Sequence, residues 1–427
     1  MTTDREGGPD PLGRVDPAAL GDLAPAGDVE QTDAVVVCGA GPTGLVAALT
    51  LARAGVPVLV LEKGPGLSAE SRASTFHPPT LELLAELDLA EPVIAAGLRA
   101  PTTQFRDRVG GPVATFDLGL LADDTEFPFR VQLEQDKFTA LALEGPVERG
   151  GLPVEVRFGW RTHGVLAQDG NGVRLLVGTA DGFVELQAPW VVAADGAHSA
   201  VRTSLGIELL GETYPERFLV VSVADELRDL LADLDLVNYV ADPDEWLVLL
   251  RTPDHWRVLF PVRTDDPGAE LAPDALRRRL DGIVPDGPPR DWEVLDASLY
   301  VVSRRVAERM RDGRVLLAGD AAHQNSPLGG MGMNSGIQDA VSCGRRLAAV
   351  MGGADETLLD DYDTNRRRVA VEYVQADAHA NWLALRESRP DRRAALQADL
   401  RAVANDPTRH RDRMLRTAML DAVRGSL

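Results

Sequence analysis

The 427-residue chain is poor in cysteine, in positive charge and in long apolar runs. Its two cysteines, Cys38 and Cys343, cannot form a disulfide framework, and a reducing, cytoplasmic setting is the simplest reading. Lys and Arg number 44 against 66 Asp and Glu, a formal net charge of −22. Such a surface repels nucleic acid and disfavours stable association with anionic membranes. The most apolar stretch, Ala34 to Ala52, is short for a membrane span and is broken by Gly39, Gly41, Pro42 and Gly44. The opening residues MTTDREGGPD are polar and acidic, unlike a secretory signal. The seven histidines are scattered without an HExxH spacing, and no GxSxG elbow occurs. Metalloprotease and serine-hydrolase chemistry are therefore unsupported.

What is present is a chain that is 44% hydrophobic, enough for two or three domains at about 150 residues each. Residues 1–32, rich in Asp, Gly and Pro, are expected to be a disordered acidic tail. Order is expected from Asp33. Ala34–Cys38 reads as a strand buried on both faces, Gly44–Ala54 as a helix and Val56–Leu61 as a second strand, together a β-α-β unit. Further strands are expected at Val154–Phe158, Gly164–Ala167, Val173–Val177, Phe183–Leu186, Trp190–Ala194 and Asp312–Leu317. Residues 217–262 alternate apolar and polar, as an antiparallel sheet with one exposed face would. Gly336–Met351 and the Arg-, Ala- and Glu-rich stretch from Val369 to Leu427 read as helical, the latter with solvated charged faces.

Three glycine-acid landmarks carry chemistry. In Gly39-Ala40-Gly41-Pro42-Thr43-Gly44 the first glycine permits the tight turn, the second lets backbone approach a pyrophosphate, and the third lets helix pack on strand. The N–H groups of the helix's first turn then face the anion. Glu62, about 20 residues on, ends the second strand and can accept hydrogen bonds from a ribose diol, with Lys63 beside it. This unit alone fits NAD as well as FAD. The second landmark, Val191–Arg202, places Asp195-Gly196 after a buried strand, where, taken alone, a plain turn is the favoured reading. The third, Gly313–Ala340, delivers Asp320 from a strand into a loop almost free of side chains at Pro327, Gly329, Gly330 and Gly332. Asn334 is suited to cap the next helix, whose N-terminus can stabilise negative charge on a flat ligand.

In this order and spacing, GAGPTGL with Glu62, DGAHSAVR and GDAAH…PLGGMGMN resemble the single-component FAD-dependent aromatic hydroxylases, the class A flavoprotein monooxygenases of the para-hydroxybenzoate hydroxylase fold. The resemblance covers roughly residues 33–375. It implies an α/β (α+β) architecture: a Rossmann-like FAD-binding domain with an inserted antiparallel-sheet substrate domain and C-terminal helices. The expected divisions are 33–105, 130–214 and 299–375 for the discontinuous FAD-binding domain, 106–129 and 215–298 for the substrate domain, and 376–427 for the helical segment. By position, Gly39–Gly44 would hold the FAD pyrophosphate, Glu62 the adenosine ribose, Arg72 the flavin and its phosphates, and Gln135 the ribityl chain. Asp195-Gly196 matches a motif linked to both FAD and NAD(P)H. Asp320 would bind the ribityl hydroxyls, and Pro327 with Gly330, Gly332, Met333 and Asn334 would lie beside the isoalloxazine.

The chemistry implied by the resemblance is reduction of FAD by NADH or NADPH, then O2 addition to give a C4a-hydroperoxide that hydroxylates an aromatic or polyketide-like small molecule. No second GxGxxG follows a strand, so no separate nicotinamide domain is expected. The catalytic base is not identifiable. Asn238, Tyr239, Trp246, Arg251, His255, Trp256 and Arg257 lie in the presumed substrate sheet, with Tyr239, Trp246 and Arg257 taken forward as substrate-facing. His323 reads as a packing or capping residue, Cys38 as a small buried hydrophobe, and the protein as a monomer or homodimer. Competing readings are an epoxidase, halogenase or reductase on the same scaffold, or a non-redox nucleotide-fold binding protein. The halogenase WxWxIP motif is absent, and the intact second and third landmarks oppose the binding-protein reading.

Overall fold

A strand that is apolar on both faces must be covered on both, and Val35–Cys38 lies inside a six-stranded sheet. The order is Arg311–Asp312, Val315–Leu317, Val191–Ala193, Val35–Cys38, Val58–Glu62 and Val154–Phe158. The last five strands are mutually parallel, and Arg311–Asp312 closes the edge antiparallel. The helices Pro42–Arg53 and Gly332–Met351 share its core. So do Val173, Leu175, Val177 and Leu186 of a four-stranded sheet built from Glu30–Gln31, Gly182–Ala188, Gly172–Thr179 and Arg161–Asp169. The computed structural model describes residues 16–25, 29–70, 73–149, 151–284, 287–424 and 426.

The second domain is an eight-stranded sheet of Thr102–Asp107, Gly111–Asp117, Leu209–Val223, Val237–Ala241, Leu247–Arg251, Trp256–Val262, Val294–Ala307 and His323–Gln324. It is antiparallel except where Val237–Ala241 runs alongside Thr102–Asp107. The sheet starts at Thr102 and Leu209 and ends beyond residue 298, so it extends past the expected bounds 106–129 and 215–298. The expectation of one exposed face is corrected. Residues 217–262 carry apolar side chains at both parities, and both faces are covered. Leu219, Val221, Leu249, Trp256, Val258 and Phe260 pack against Leu276 and Leu280 of the helix Pro273–Asp281. Phe218, Val220, Tyr239, Trp246, Val248 and Leu259 meet Leu328 and the helix Ala376–Leu385 through Trp382 and Leu385.

Two other expectations change. The stretch 1–32, expected as a disordered tail, is structured where it is described. Leu20 is 5% exposed, and Glu30–Gln31 pairs parallel with Leu186–Gln187 while Glu30 bonds Arg157 at 2.6 Å. One apolar anchor and one free sheet edge suffice to hold it; residues 1–15 and 26–28 lie outside the described residues. The C-terminal helices are not simply solvated. Met414 and Leu415 of Pro407–Thr417 pack on Phe116 and Leu118.

Candidate active site

The parallel strands deliver every landmark to the same edge. Val315–Leu317, Val191–Ala193, Val35–Cys38 and Val58–Glu62 are successive neighbours, so Gly319-Asp320, Asp195-Gly196, Gly39–Gly44 and Glu62 emerge side by side at their carboxyl ends. Glu62 and Asp320 are three strand spacings apart, about 14 Å. In doubly wound sheets this edge is where ligands bind.

The first loop is shaped for close backbone approach. Gly39 has φ +103°, and a Cβ there would lie 2.5 Å from the Ala194 carbonyl oxygen; a Cβ on Gly44 would lie 1.9 Å from the Gly39 oxygen. A Cβ on Gly41 would meet nothing within 4 Å, so Gly41 faces open space at the helix start. The helix begins at Pro42, two residues before the expected Gly44, because proline is favoured at a first helical position. No side chain caps it, so the Thr43 and Gly44 amides have no side-chain acceptor. Glu62 receives the Ala40 and Gly64 amides, one on each oxygen, both at 2.9 Å. It thus braces the loop and keeps spare lone pairs for a diol. Lys63 is exposed next to it, and Arg72 lies outside the described residues.

Asp195 is half-buried. One oxygen accepts the Ala200 and Val201 amides at 2.8 and 3.2 Å, and the other has no partner. Burial pushes its carboxyl up, opposed by these bonds. Gly196 takes φ +83°. Arg202, which ends the same motif, donates to the Ala321 carbonyl at 3.0 Å and so ties the second landmark to the turn carrying Asp320, which is exposed.

The third landmark departs from expectation at Asn334. The helix Gly332–Met351 starts four residues early with Met331 at its cap position and no side-chain cap. Asn334 sits inside the first turn and is fully buried. Its oxygen accepts the His77 amide at 2.8 Å, and its nitrogen donates to the Thr75 and Gly330 carbonyls at 2.8 and 2.6 Å. It pins the loop rather than the helix, because the segment Thr75–Phe76 supplies competing main-chain partners. Gln135, half-buried, begins the helix Gln135–Ala142, and its backbone N–H donates to the Ala73 carbonyl, two residues before that segment, at 3.0 Å. Pro327 is exposed, while Gly330, Gly332 and Met333 are half-buried. The Gly329 peptide is held at both ends: its N–H donates to the Tyr239 hydroxyl at 3.0 Å, and its oxygen lies 2.9 Å from His77 Nε2. Burial, reinforced by Arg130, holds His77 well below the usual imidazole range, so it is the neutral ring that donates.

Beneath the loop lies an internal charge network. Asp339 accepts His323 Nε2 at 2.7 Å, Arg366 Nε at 2.6 Å and the Gly319 amide at 3.0 Å. Asp339 and Arg366 have no exposed surface. Burial raises the Asp339 carboxyl, but the charges of His323 and Arg366 outweigh it and hold the group below its ordinary value. His323 therefore packs inward. Cys38 is fully buried, its thiol pushed up to about 12 by burial. Of the sheet candidates, Trp256 and Arg251 bond Glu226, and Asn238 closes a local turn with Asp235. His255 stands 3.6 Å from Glu134. Tyr239, Trp246 and Arg257 are buried. Trp246 stands edge-on to Phe218 at 5.1 Å, and Arg257 feels Tyr300 and Glu134. Sequence reading missed His77, Arg130, Arg202, Asp339 and Arg366. Asp339 left no mark in the hydrophobic pattern, because Ser335, Ser342 and Arg346 on its own helix face are polar too.

Two uncapped helix starts, glycine backbone on open space and an orphaned Asp195 oxygen together fit a dinucleotide cofactor, and the arrangement is that of the class A flavin-dependent hydroxylases. The FAD binding domain family matches residues 31–377, and the chain belongs to it. It is 34% identical over 387 residues to para-nitrophenol 4-monooxygenase of Pseudomonas sp. (strain WBC-3), covering 88% of this chain and 93% of that one. Aklavinone 12-hydroxylase of Streptomyces purpurascens is 34% identical over 376 residues, covering 81% and 68%. The crystal structure of p-nitrophenol 4-monooxygenase from Pseudomonas putida DLL-E4 superposes with a TM-score of 0.88 at 33% identity, over 93% of this chain and 100% of that one. The ternary complex of aklavinone-11 hydroxylase with FAD and aklavinone gives 0.74 at 32% identity, over 84% and 70%. The chain is an FAD-dependent monooxygenase of aromatic or polyketide-like small molecules, drawing on NAD(P)H and O2. No helix among the described residues is long and apolar enough to cross a membrane.

Proposed function

We propose that the protein hydroxylates a small phenolic ring held between the loop Pro327–Gly332 and the inner face of the eight-stranded sheet. The observation that carries this reading is the hydrogen bond from the Gly329 amide to Tyr239, which fixes the sheet against the loop expected to flank the isoalloxazine. The near-complete overlap with a nitrophenol monooxygenase favours a single ring over a polycyclic one.

In this reading the Thr43 and Gly44 amides take the pyrophosphate, Glu62 the adenosine ribose, and Asp320 and Gln135 the ribityl chain. The Met333 and Asn334 amides at the second helix start stabilise negative charge on the ring. When bound, FAD supplies hydride acceptance and oxygen activation. The chain orients the substrate ring, and its apolar wall of Phe218, Val220, Leu259 and Leu328 keeps water from the reacting centre. Buried Arg257 is placed to meet a polar substituent of the substrate. The protein works in the cytoplasm as a monomer or homodimer; both cysteines are free and buried, as a reducing compartment allows.

The test is NAD(P)H oxidation by the yellow holoenzyme across phenols, anilines and polycyclic quinols. Acceleration by monocyclic phenols with hydroxylated product is expected. Acceleration by alkenes alone, with epoxide product, overturns the reading.

A further inference from the structure

Residues 419–426 carry none of the three landmarks, yet they reach the flavin site from behind. Met419 opens the stretch with φ +67° and ψ 13°, a left-handed backbone that a non-glycine residue adopts only where its surroundings hold it there. Its side chain is 1% exposed and packs with Ala422 against Met331, Val369 and Val374. Met331 stands at the cap position of the helix Gly332–Met351. The short helix Leu420–Val423 lies against Pro78–Ala85, the helix that His77 precedes. Ser426 is fully buried. Its hydroxyl donates to the Ala422 carbonyl at 2.8 Å and accepts from Arg366 Nη1 at 3.3 Å, and its carbonyl accepts from Ser342 Oγ at 3.4 Å.

Arg366 thereby has a partner on each nitrogen: Asp339 on Nε at 2.6 Å, Ser426 on Nη1, and the Ser335 hydroxyl on Nη2 at 3.2 Å. A guanidinium is a rigid plane, so partners in three directions fix its orientation as well as its charge. Asp339 neutralises Arg366 with or without Ser426; what Ser426 adds is direction. Asp339 in turn accepts the Gly319 amide at 3.0 Å, one residue before Asp320, and Ser335 lies in the first turn of Gly332–Met351. Two routes therefore run from this stretch to the flavin site, an apolar one through Met331 and a polar one through Arg366 and Asp339. We propose that Met419 and Ser426 are positioning residues for the flavin: docking of residues 419–426 sets the placement of the Gly319-Asp320 turn and of the helix start at Met331. The proposal rests on the placement of the ribityl chain and ring given above, and neither residue touches the cofactor. Coupling between two sites is reciprocal, so a stretch whose docking favours FAD must itself be held more firmly once FAD is bound.

The test is backbone hydrogen–deuterium exchange of the full chain, apoprotein against FAD-loaded protein, beside FAD titration followed by flavin fluorescence. FAD is expected to slow exchange in peptides covering residues 419–426 by about 5-fold or more. Ser426→Ala is expected to weaken FAD by about 2- to 10-fold, the worth of one hydrogen bond, and to reduce that slowing. Met419→Gly suits φ +67° without strain and removes only the packing on Met331, so it is expected to weaken FAD similarly. It carries the test if Ser426→Ala does not fold. Denaturant melts of the apoproteins read stability separately. Lowered stability with wild-type FAD affinity in both variants would make the stretch a structural brace and overturn the proposal. Exchange at 419–426 that FAD leaves unchanged, while it slows residues 330–334, overturns the proposal alone. Exchange slowed at neither stretch defeats the placement of the ring, and the proposal with it.

Discussion

Gly41 separates what the fold needs from what the cofactor needs. Its backbone, φ −73° and ψ −179°, suits any L residue, and a Cβ would touch nothing within 4 Å. In Gly41→Val the poorer N-cap costs up to about 1 kcal/mol. The reduced freedom of the unfolded chain offsets about 0.4–1 kcal/mol of that. The apoprotein should thus unfold in denaturant within about 1 kcal/mol of wild type. The valine side chain, however, fills the approach to the Thr43 and Gly44 amides. Loss of two charge-assisted hydrogen bonds at about 1.5–3 kcal/mol each weakens FAD by roughly 100-fold or more. Gly44→Ala is the contrasting control, since its Cβ would sit 1.9 Å from the Gly39 oxygen and must disrupt the fold itself. Denaturant melts of apoprotein and fluorescence titration with FAD read the two effects separately. Wild-type FAD affinity in Gly41→Val would refute the placement of the pyrophosphate.

Asp320→Ala should fold normally and lose flavin; full FAD occupancy after purification would remove its proposed ribityl role. Arg366→Met should destabilise the apoprotein by about 3–5 kcal/mol in chemical denaturation, because Asp339 is left charged and fully buried. His77 titrates well below 6.5 in the fold, so under acid the unfolded chain binds the extra proton. Its contribution to stability is fully present above pH 6.5 and falls as pH drops towards the folded value, by up to about 1.4 kcal/mol per pH unit. His77→Asn should flatten that part of the pH-stability profile, and an unchanged slope would show that His77 does not supply it.

The parallel sheet and its ligand edge were legible because glycine and carboxylate are fixed by local geometry. A turn at φ +103° or a helix start without a cap leaves its mark within six residues. Boundaries slipped where a residue favours two neighbouring positions, as Pro42 and Asn334 show. Side-chain direction in the substrate sheet was not legible, because apolar residues occupy both parities of the strand Trp256–Val262. Trp256 therefore belongs to the helix-covered face, while its neighbour Arg257 lies on the opposite one, near Tyr300 and Glu134. The buried charges were the least visible. Arg130 meets Thr417 across 287 residues and Asp339 meets Arg366 across 27, contacts that only the fold creates.

Two uncapped helix starts on one sheet edge are proposed to grip opposite ends of a single FAD. A crystal structure of the holoenzyme tests it most directly. Electron density should place the pyrophosphate within hydrogen-bond reach of the Thr43 and Gly44 amides and the ring system against Gly330–Asn334. Flavin density lying anywhere off that edge would contradict it.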